Sequence, residues 1–197
     1  MRAATCQSCG SNALEPFYEV RGIPVHSCLL LKSREEALAF PKGDLELVFC
    51  KDCGFIQNWL FDPRLERYSA DYEETQAFSP RFQKFLEEIV TDHAARYPLE
   101  GRRVLEIGCG KGEFLVRLCE HTGAHGIGID PGVRPERIVS PARERIHFIR
   151  DFYGPKYVGI TADYICCRHT LEHIQPVREF VSLVRQTAEL SGNPIVF

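Results

Sequence analysis

Apolar residues in the second half of the chain follow two alternating patterns. Five short apolar runs predict strands, at 102–107, 126–130, 146–151, 162–167 and 194–197. Between them, apolar residues recur every three or four positions, which predicts a helix that begins at Glu113 and another over 177–190. Strands and helices that alternate at these lengths are typical of an α/β fold with a doubly wound parallel sheet and right-handed crossovers.

A further helical pattern precedes this half of the chain. Its apolar residues recur at spacings of three or four: Phe82, Phe85, Leu86, Ile89 and Val90. Ser79 can cap the helix and Pro80 suits its first position, because the first amides of a helix have no partner within it. We therefore expect an amphipathic helix that packs on the predicted sheet.

The first sixty residues lack this alternation. Residues 16–20 and 45–49 read as strands bounded by proline and glycine, and Ser33 is a suitable cap for a short helix. The sequence therefore predicts three parts. We expect a small β-rich domain over 1–60, a linker with the amphipathic helix over 61–98, and a Rossmann-like domain over 99–197.

Four of the nine cysteines form two matched pairs in the first of these parts. Cys6 and Cys9, like Cys50 and Cys53, are three positions apart, and a glycine follows each pair. This spacing lets a tight turn direct two thiolates at the same ion, and the glycine relaxes the turn. Two such pairs predict a closed four-thiolate zinc site with a structural role.

Composition narrows the class of protein further. No apolar run reaches the ~18–20 residues that a membrane span needs. The net charge of −3, with acids and bases interspersed, provides no basic surface for nucleic acid. An odd number of cysteines and the absence of an apolar leader favour a reducing compartment. We therefore expect a cytoplasmic protein that binds neither nucleic acid nor membranes.

The loop after the first strand of the predicted sheet is rich in glycine. Ligands of doubly wound sheets lie beyond the carboxyl ends of the strands, so Gly108, Cys109 and Gly110 border the expected pocket. Asp130 follows Gly110 by twenty residues, the distance at which an acid meets a ribose diol. These features fit both NAD and S-adenosylmethionine.

Charge distinguishes the two nucleotides. A dinucleotide-binding loop has glycine where this chain has Glu113, and Glu106 stands just before the loop. Two carboxylates repel a pyrophosphate but suit the sulfonium and ammonium groups of S-adenosylmethionine. Asp151 could accept a hydrogen bond from the adenine amino group, and Phe152 could flank the ring. The pattern therefore favours S-adenosylmethionine.

Two histidines follow the fourth predicted strand, where a methyl acceptor is expected. His169 and His173 are four positions apart and would share one face of a helix. A histidine there can act as a general base, because imidazole titrates near neutrality. A metal site is disfavoured, since a threonine stands where a zincin has glutamate. Packing or capping is the alternative role for each histidine, and His169 is the better candidate base.

The combined motifs resemble those of bacterial C-methyltransferases with an N-terminal zinc-binding domain, some of which act on nucleotide-linked deoxysugars. The resemblance covers nearly the whole chain. It rests on the four cysteines and on four further segments, Cys53–Asn58, Tyr72–Pro80, Val104–Gly110 and Cys167–Ile174.

The resemblance implies a class I methyltransferase fold, S-adenosylmethionine as donor, a structural Zn²⁺ and a nucleotide-linked 4-keto sugar as acceptor. A base would remove a proton from the carbon beside the ketone, and that carbon would take the methyl group. Tyr72, His169 and His173 match segments in which the family places active-site groups, and Arg168 matches the cofactor side. Neither the sugar nor the oligomeric state follows from the sequence.

Family members continue beyond the fifth strand with a Tyr-Glu-His segment that this chain lacks, since it stops at Phe197. We therefore expect a fragment with little turnover of its own. Two alternatives stay open, namely a methyltransferase for another small acceptor and a non-catalytic zinc-binding module with a Rossmann-like remnant.

Overall fold

The computed structural model describes residues 5–26, 29–65 and 76–197. The chain divides into two compact units. The first comprises Met1–Glu74 with Gln175–Arg178, and the second comprises Thr75–Ile174 with Glu179–Phe197. Within the described ranges, no helix combines the length and apolarity that a bilayer crossing needs.

The first unit contains a three-stranded antiparallel sheet in the order β1-β2-β3. Its elements are β1 (Leu14–Pro24), α1 (Arg34–Ala39), β2 (Lys42–Cys50) and β3 (Ile56–Asn58). The Ser33 hydroxyl accepts a hydrogen bond from the amide of Glu36 at 3.1 Å, which confirms the predicted helix cap. Predicted strands 16–20 and 45–49 lie within β1 and β2.

The second unit contains a five-stranded parallel sheet in the order β6-β5-β4-β7-β8. Its strands are β4 (Arg103–Ile107), β5 (His125–Ile129), β6 (Ile146–Ile149), β7 (Tyr164–Cys166) and β8 (Ile195–Val196). Its helices are α2 (Pro80–Arg96) and α3 (Glu113–Thr122), and α4 (Val177–Leu190) begins in residues assigned to the first unit. The predicted doubly wound sheet is confirmed. The strand order reverses between β4 and β7, where such sheets bind ligands.

Both faces of this sheet are covered, which explains why its strands read as continuous apolar runs. Val104 of β4 packs in a core cluster with Leu86 of α2 and Leu115 of α3. Leu105, the next residue of β4, belongs to a second cluster with Phe180 of α4. Successive residues of one strand thus support helices on opposite faces and hold the carboxyl end of β4 in place.

The predicted boundaries differ from the structure in small ways. The Ser79 hydroxyl accepts a hydrogen bond from the amide of Phe82 at 3.3 Å, and α2 begins at Pro80 as predicted. The third strand of the sheet was predicted to reach Asp151 but ends at Ile149. It stops there because Asp151 leaves the ladder and its carboxylate accepts the amide of Phe152 at 2.8 Å.

Candidate functional site

The loop between β4 and α3 makes close contacts that only glycine allows. Gly108 has φ 70°, and a Cβ there would lie 2.1 Å from the hydroxyl oxygen of Thr170. Gly112 has φ 84°, and a Cβ there would lie 2.9 Å from the ring of Phe148. The loop therefore packs tightly at its base and directs its backbone toward the carboxyl edge of the sheet.

Asp130 follows β5 and joins it to this loop. Its Oδ2 accepts a hydrogen bond from the amide of Gly110 at 2.9 Å, and its Oδ1 accepts one from the amide of Gly132 at 2.6 Å. These bonds fix the carboxylate at the mouth of the loop. Each oxygen has a second lone pair, so the group can still accept hydrogen bonds from a ligand's hydroxyls.

Glu106 is the last but one residue of β4 and lies beneath the loop with 3% of its surface exposed. Its Oε2 is buried without a hydrogen-bond partner among the described residues. Burial raises the pKa of this carboxyl to about 8, although the positive charge of Arg168 acts in the opposite direction. A cation bound above the loop would favour the ionised carboxylate, so the buried acid fits a cationic ligand.

Arg168 and Cys109 both lie near Glu106. The Arg168 guanidinium lies over the ring of Phe114 at 4.3 Å from its centroid, a cation–π contact that fixes its orientation. Cys109 is 7% exposed, and burial raises the pKa of its thiol well above the usual value. A thiol of this kind contributes packing rather than nucleophilic chemistry.

Asp151 and Phe152 lie at the end of the next strand. Asp151 Oδ2 accepts hydrogen bonds from the Lys156 ammonium and, at 2.6 Å, from the Tyr157 hydroxyl. The Lys156 bond is the main reason why the pKa of Asp151 falls to about 2, so this carboxylate stays ionised. Phe152 is 62% exposed.

Lys156 and Tyr157 were not foreseen from the sequence. They lie in a short 3₁₀ turn, 155–157, that curls back onto the acid. Their spacing of five and six positions from Asp151 carries no recognised periodic signal. Only the turn itself brings them together.

The two candidate bases are both exposed. His169 has φ 50°, an uncommon backbone conformation for a non-glycine residue, and its Nδ1 lies 3.9 Å from Glu172 Oε1. His173 ends a 3₁₀ turn over Leu171–His173 instead of lying on an α-helix, so the expected sharing of one helical face does not apply. Tyr72 lies outside the described residues.

The four paired cysteines of the first unit converge on one point. Their sulfur atoms all lie within 4.8 Å of one another, and no other such group of potential ligands occurs in residues 5–26, 29–65 and 76–197. Cys6 Sγ lies 3.6 Å from Cys53 Sγ, and Cys9 Sγ lies 3.6 Å from Cys50 Sγ. A tetrahedral zinc ion with Zn–S bonds of ~2.3 Å needs sulfurs ~3.8 Å apart, so this donor set fits the ion.

The two turns that carry these cysteines are built alike. The amide of Gly10 donates to the carbonyl of Cys6 at 2.8 Å, and the amide of Gly54 donates to that of Cys50 at 2.9 Å. Burial raises the pKa of Cys50, but hydrogen bonds from the backbone of Cys53 and Asp52 outweigh it and lower that pKa to about 7. Amides directed at a sulfur stabilise the thiolate that a metal requires.

The second half of the chain is similar to a known protein family. The sequence model of a family described as methyltransferase domain matches residues 75–193, more than half of the chain. No curated protein matches the chain. The family match and the five-stranded parallel sheet in the order β6-β5-β4-β7-β8 together confirm the class I methyltransferase fold expected for this half of the chain.

Solved structures similar to the chain include three methyltransferases with bound S-adenosyl-L-homocysteine. One, from Thiobacillus denitrificans, shares 23% identity over 60% of this chain and 54% of that one, with a TM-score of 0.41. Another, from Geobacter sulfurreducens, shares 21% identity over 60% of this chain and 47% of that one, with a TM-score of 0.39. The magnesium protoporphyrin IX methyltransferase of Synechocystis PCC 6803 shares 22% identity over 56% of this chain and 52% of that one, with a TM-score of 0.40. This chain spans about half the length of these structures.

Proposed function

This chain belongs to the methyltransferase-domain family, and from that premise we propose that it binds S-adenosylmethionine at the carboxyl ends of β4 and β5. The observation that carries the proposal is Asp130, whose two oxygens are held by the amides of Gly110 and Gly132 and can each accept one more donor. The two adjacent hydroxyls of a ribose can donate one hydrogen bond to each of these oxygens. Charge-assisted hydrogen bonds of this kind contribute about 1.5–3 kcal/mol each.

The charges around the loop support a cationic ligand over a pyrophosphate. Glu106 is buried with an unpartnered oxygen, and the negative charges of Asp130 and Glu113 both act on it. A pyrophosphate would add two further negative charges next to these carboxyls. A sulfonium and an ammonium group would instead relieve their repulsion. In this proposal Asp151 and Phe152 meet the adenine, and Cys109 and Arg168 lie beside the bound nucleotide.

The cofactor site can be tested by calorimetric titration of S-adenosylhomocysteine. Replacing Asp130 with alanine should weaken binding by at least about tenfold, because two charge-assisted bonds are lost. Asp163→Ala is the matched control, since that acid accepts the amide of Arg103 at 2.8 Å at the opposite edge of the sheet. Equal affinity in wild type and Asp130→Ala would contradict the proposed site.

For the acceptor, we propose a carbon acid next to a ketone, in a nucleotide-linked deoxysugar. The support is the resemblance of the motifs around Tyr72 and His169 to those of sugar C-methyltransferases, together with the exposure of His169 beyond β7. S-adenosylmethionine, when bound, supplies an electrophilic methyl group. His169 would take the proton from the acceptor carbon, with His173 as the second candidate. Tyr72 would donate a hydrogen bond to the oxygen of the resulting enolate.

Proton removal can be measured apart from methyl transfer. A nucleotide-linked 4-keto deoxysugar incubated with the protein in deuterated water should gain deuterium at the carbon beside the ketone. His169→Asn should abolish this exchange, whereas His121→Asn, which alters an exposed histidine on α3, should leave it unchanged. Exchange that survives in His169→Asn and stops in His173→Asn would assign the base to the second histidine. A methyl group found on oxygen or nitrogen of the product would exclude carbon methylation.

For the first unit, we propose a structural zinc ion held by Cys6, Cys9, Cys50 and Cys53. The support is the convergence of all four sulfurs, which no fifth ligand joins among the residues that the structure describes. A closed site of four thiolates leaves no position for a reacting water. The metal would instead stabilise a small β-rich unit whose own core is thin.

A further inference from the structure

Thr170 touches the glycine loop although it lies 62 positions further along the chain. Its Oγ1 lies 3.3 Å from the carbonyl oxygen of Gly108 and 3.0 Å from that of Arg168. A hydroxyl has a single proton, so it is shared between these two carbonyls. Thr170 thereby links the loop after β4 to the segment after β7.

This contact depends on the absence of a side chain at Gly108. A Cβ at that position would lie 2.1 Å from Oγ1 and 2.5 Å from Cγ2 of Thr170. Contacts this short do not occur between real atoms, so any other residue at 108 would displace Thr170. Thr170 can therefore pack against the base of the loop only because residue 108 is glycine.

The same threonine stands next to a strained residue. His169 has φ 50°, which costs a non-glycine residue about 1 kcal/mol or more and persists only when its surroundings hold it. On one side the Thr170 hydroxyl bonds back to the carbonyl of Arg168, and on the other the Thr170 carbonyl accepts the amide of His173 at 2.9 Å. The backbone on both sides of His169 is thus fixed through Thr170.

We infer that Thr170 is a positioning residue whose hydroxyl holds His169 and the glycine loop in a single arrangement. The inference rests on the proposed function, in which the loop binds S-adenosylmethionine and His169 faces the acceptor. If Thr170 has this role, a shift of the loop on cofactor binding should also shift His169, because the Thr170 hydroxyl links the two segments.

The test separates the hydroxyl of Thr170 from its shape. Thr170→Val keeps the shape and removes the hydroxyl, whereas Thr170→Ser keeps the hydroxyl and removes the methyl group. The readout is the imidazole NMR signal of His169, assigned by its loss in His169→Asn. We expect a wild-type signal in Thr170→Ser and a shifted or split signal in Thr170→Val. Thr122→Val is the matched control, because it removes a similar bond to the Leu118 carbonyl in α3 and should leave the His169 signal unchanged.

Ligand titration tests the coupling. S-adenosylhomocysteine should shift the His169 signal in wild type and in Thr170→Ser, and most of that shift should be lost in Thr170→Val. Affinity for the ligand should fall only about two- to tenfold in Thr170→Val, the effect of one hydrogen bond. A wild-type signal in Thr170→Val, or its loss in Thr170→Ser, would overturn the assignment. If the ligand shifts no loop amide in wild type, the proposed cofactor site fails instead, and the ligand-free spectra still decide the role of Thr170.

Discussion

The hydroxyl of Tyr164 lies 2.7 Å from Nδ1 of His93, deep within the second unit. Tyr164 belongs to β7 and is fully buried, and His93 belongs to α2 and is 7% exposed. The ring of His93 also packs against Phe197 and Phe114, at centroid distances of 4.3 and 6.5 Å. A single polar pair within an aromatic cluster thus joins α2 to the centre of the sheet.

Removal of the tyrosine hydroxyl should destabilise this unit. Tyr164→Phe leaves the buried Nδ1 of His93 without its partner, which costs about 1–3 kcal/mol. Urea unfolding followed by circular dichroism measures the change. Tyr97→Phe is the matched control, because Tyr97 also packs on His93 but its hydroxyl makes no hydrogen bond to a described residue. Equal stabilities in wild type and Tyr164→Phe would show that the pair contributes nothing.

The burial of His93 predicts a loss of stability in acid. Burial lowers the pKa of His93 below its ordinary value of 6.5, so below that pH the unfolded chain binds a proton that the folded chain does not. The free energy of unfolding should therefore fall as the pH drops from about 7 toward the lowered pKa. His93→Gln should flatten this dependence, whereas His147→Gln, at an exposed site, should leave it unaltered. A pH profile that is the same in His93→Gln and wild type would refute this explanation.

Glu106 predicts a contribution of opposite sign between about pH 4.5 and pH 8. Because its pKa is raised from 4.5 to about 8 in the folded chain, the folded state holds a proton that the unfolded state releases. The contribution of Glu106 to stability should be complete below about pH 4.5 and decline toward pH 8, with a slope of up to about 1.4 kcal/mol per pH unit. In urea unfolding of the ligand-free protein, Glu106→Gln should remove this decline, while Glu144→Gln at an exposed site should retain it. A decline that persists in Glu106→Gln must have another origin.

The cysteine cluster predicts a metal that depends on its four sulfurs. Purified protein should contain about one zinc ion per chain by elemental analysis. Cys50→Ser should lose it, because Cys50 is fully buried and contributes one of the four converging sulfurs. Cys167→Ser removes a cysteine outside the cluster and should keep the metal. A protein that folds without zinc, or a Cys50→Ser variant that retains it, would contradict the zinc site.

Local patterns were sufficient to predict much of the fold. Ser79 and Pro80 start a helix because capping is decided by adjacent residues, and the strands around Val104 are apolar because both faces of the sheet are covered. The spacing of Gly110 and Asp130 also proved informative, since a strand, a loop and a helix of standard length separate them. The structure joins the two residues by a hydrogen bond of 2.9 Å.

Contacts between distant segments could not be predicted in this way. His93 and Tyr164 are 71 positions apart, and neither has a neighbour in sequence that marks it as part of a polar pair. The fit of Thr170 against Gly108 depends equally on how β7 lies beside β4. The ion pair between Lys156 and Asp151 also has no signal in the sequence, because it depends on the 3₁₀ turn at Pro155–Tyr157.

The acids that flank the loop after β4, Glu106 and Glu113, should favour a cationic nucleoside over a dinucleotide. The most direct test of this preference is a side-by-side calorimetric titration of S-adenosylmethionine and NAD into the wild-type chain. We predict saturable binding of S-adenosylmethionine with about one site per chain, and NAD affinity lower by at least about a hundredfold, the penalty expected from a pyrophosphate placed beside Glu113 and Asp130. Comparable affinity for the two nucleotides, or no heat from S-adenosylmethionine at millimolar concentration, would contradict it.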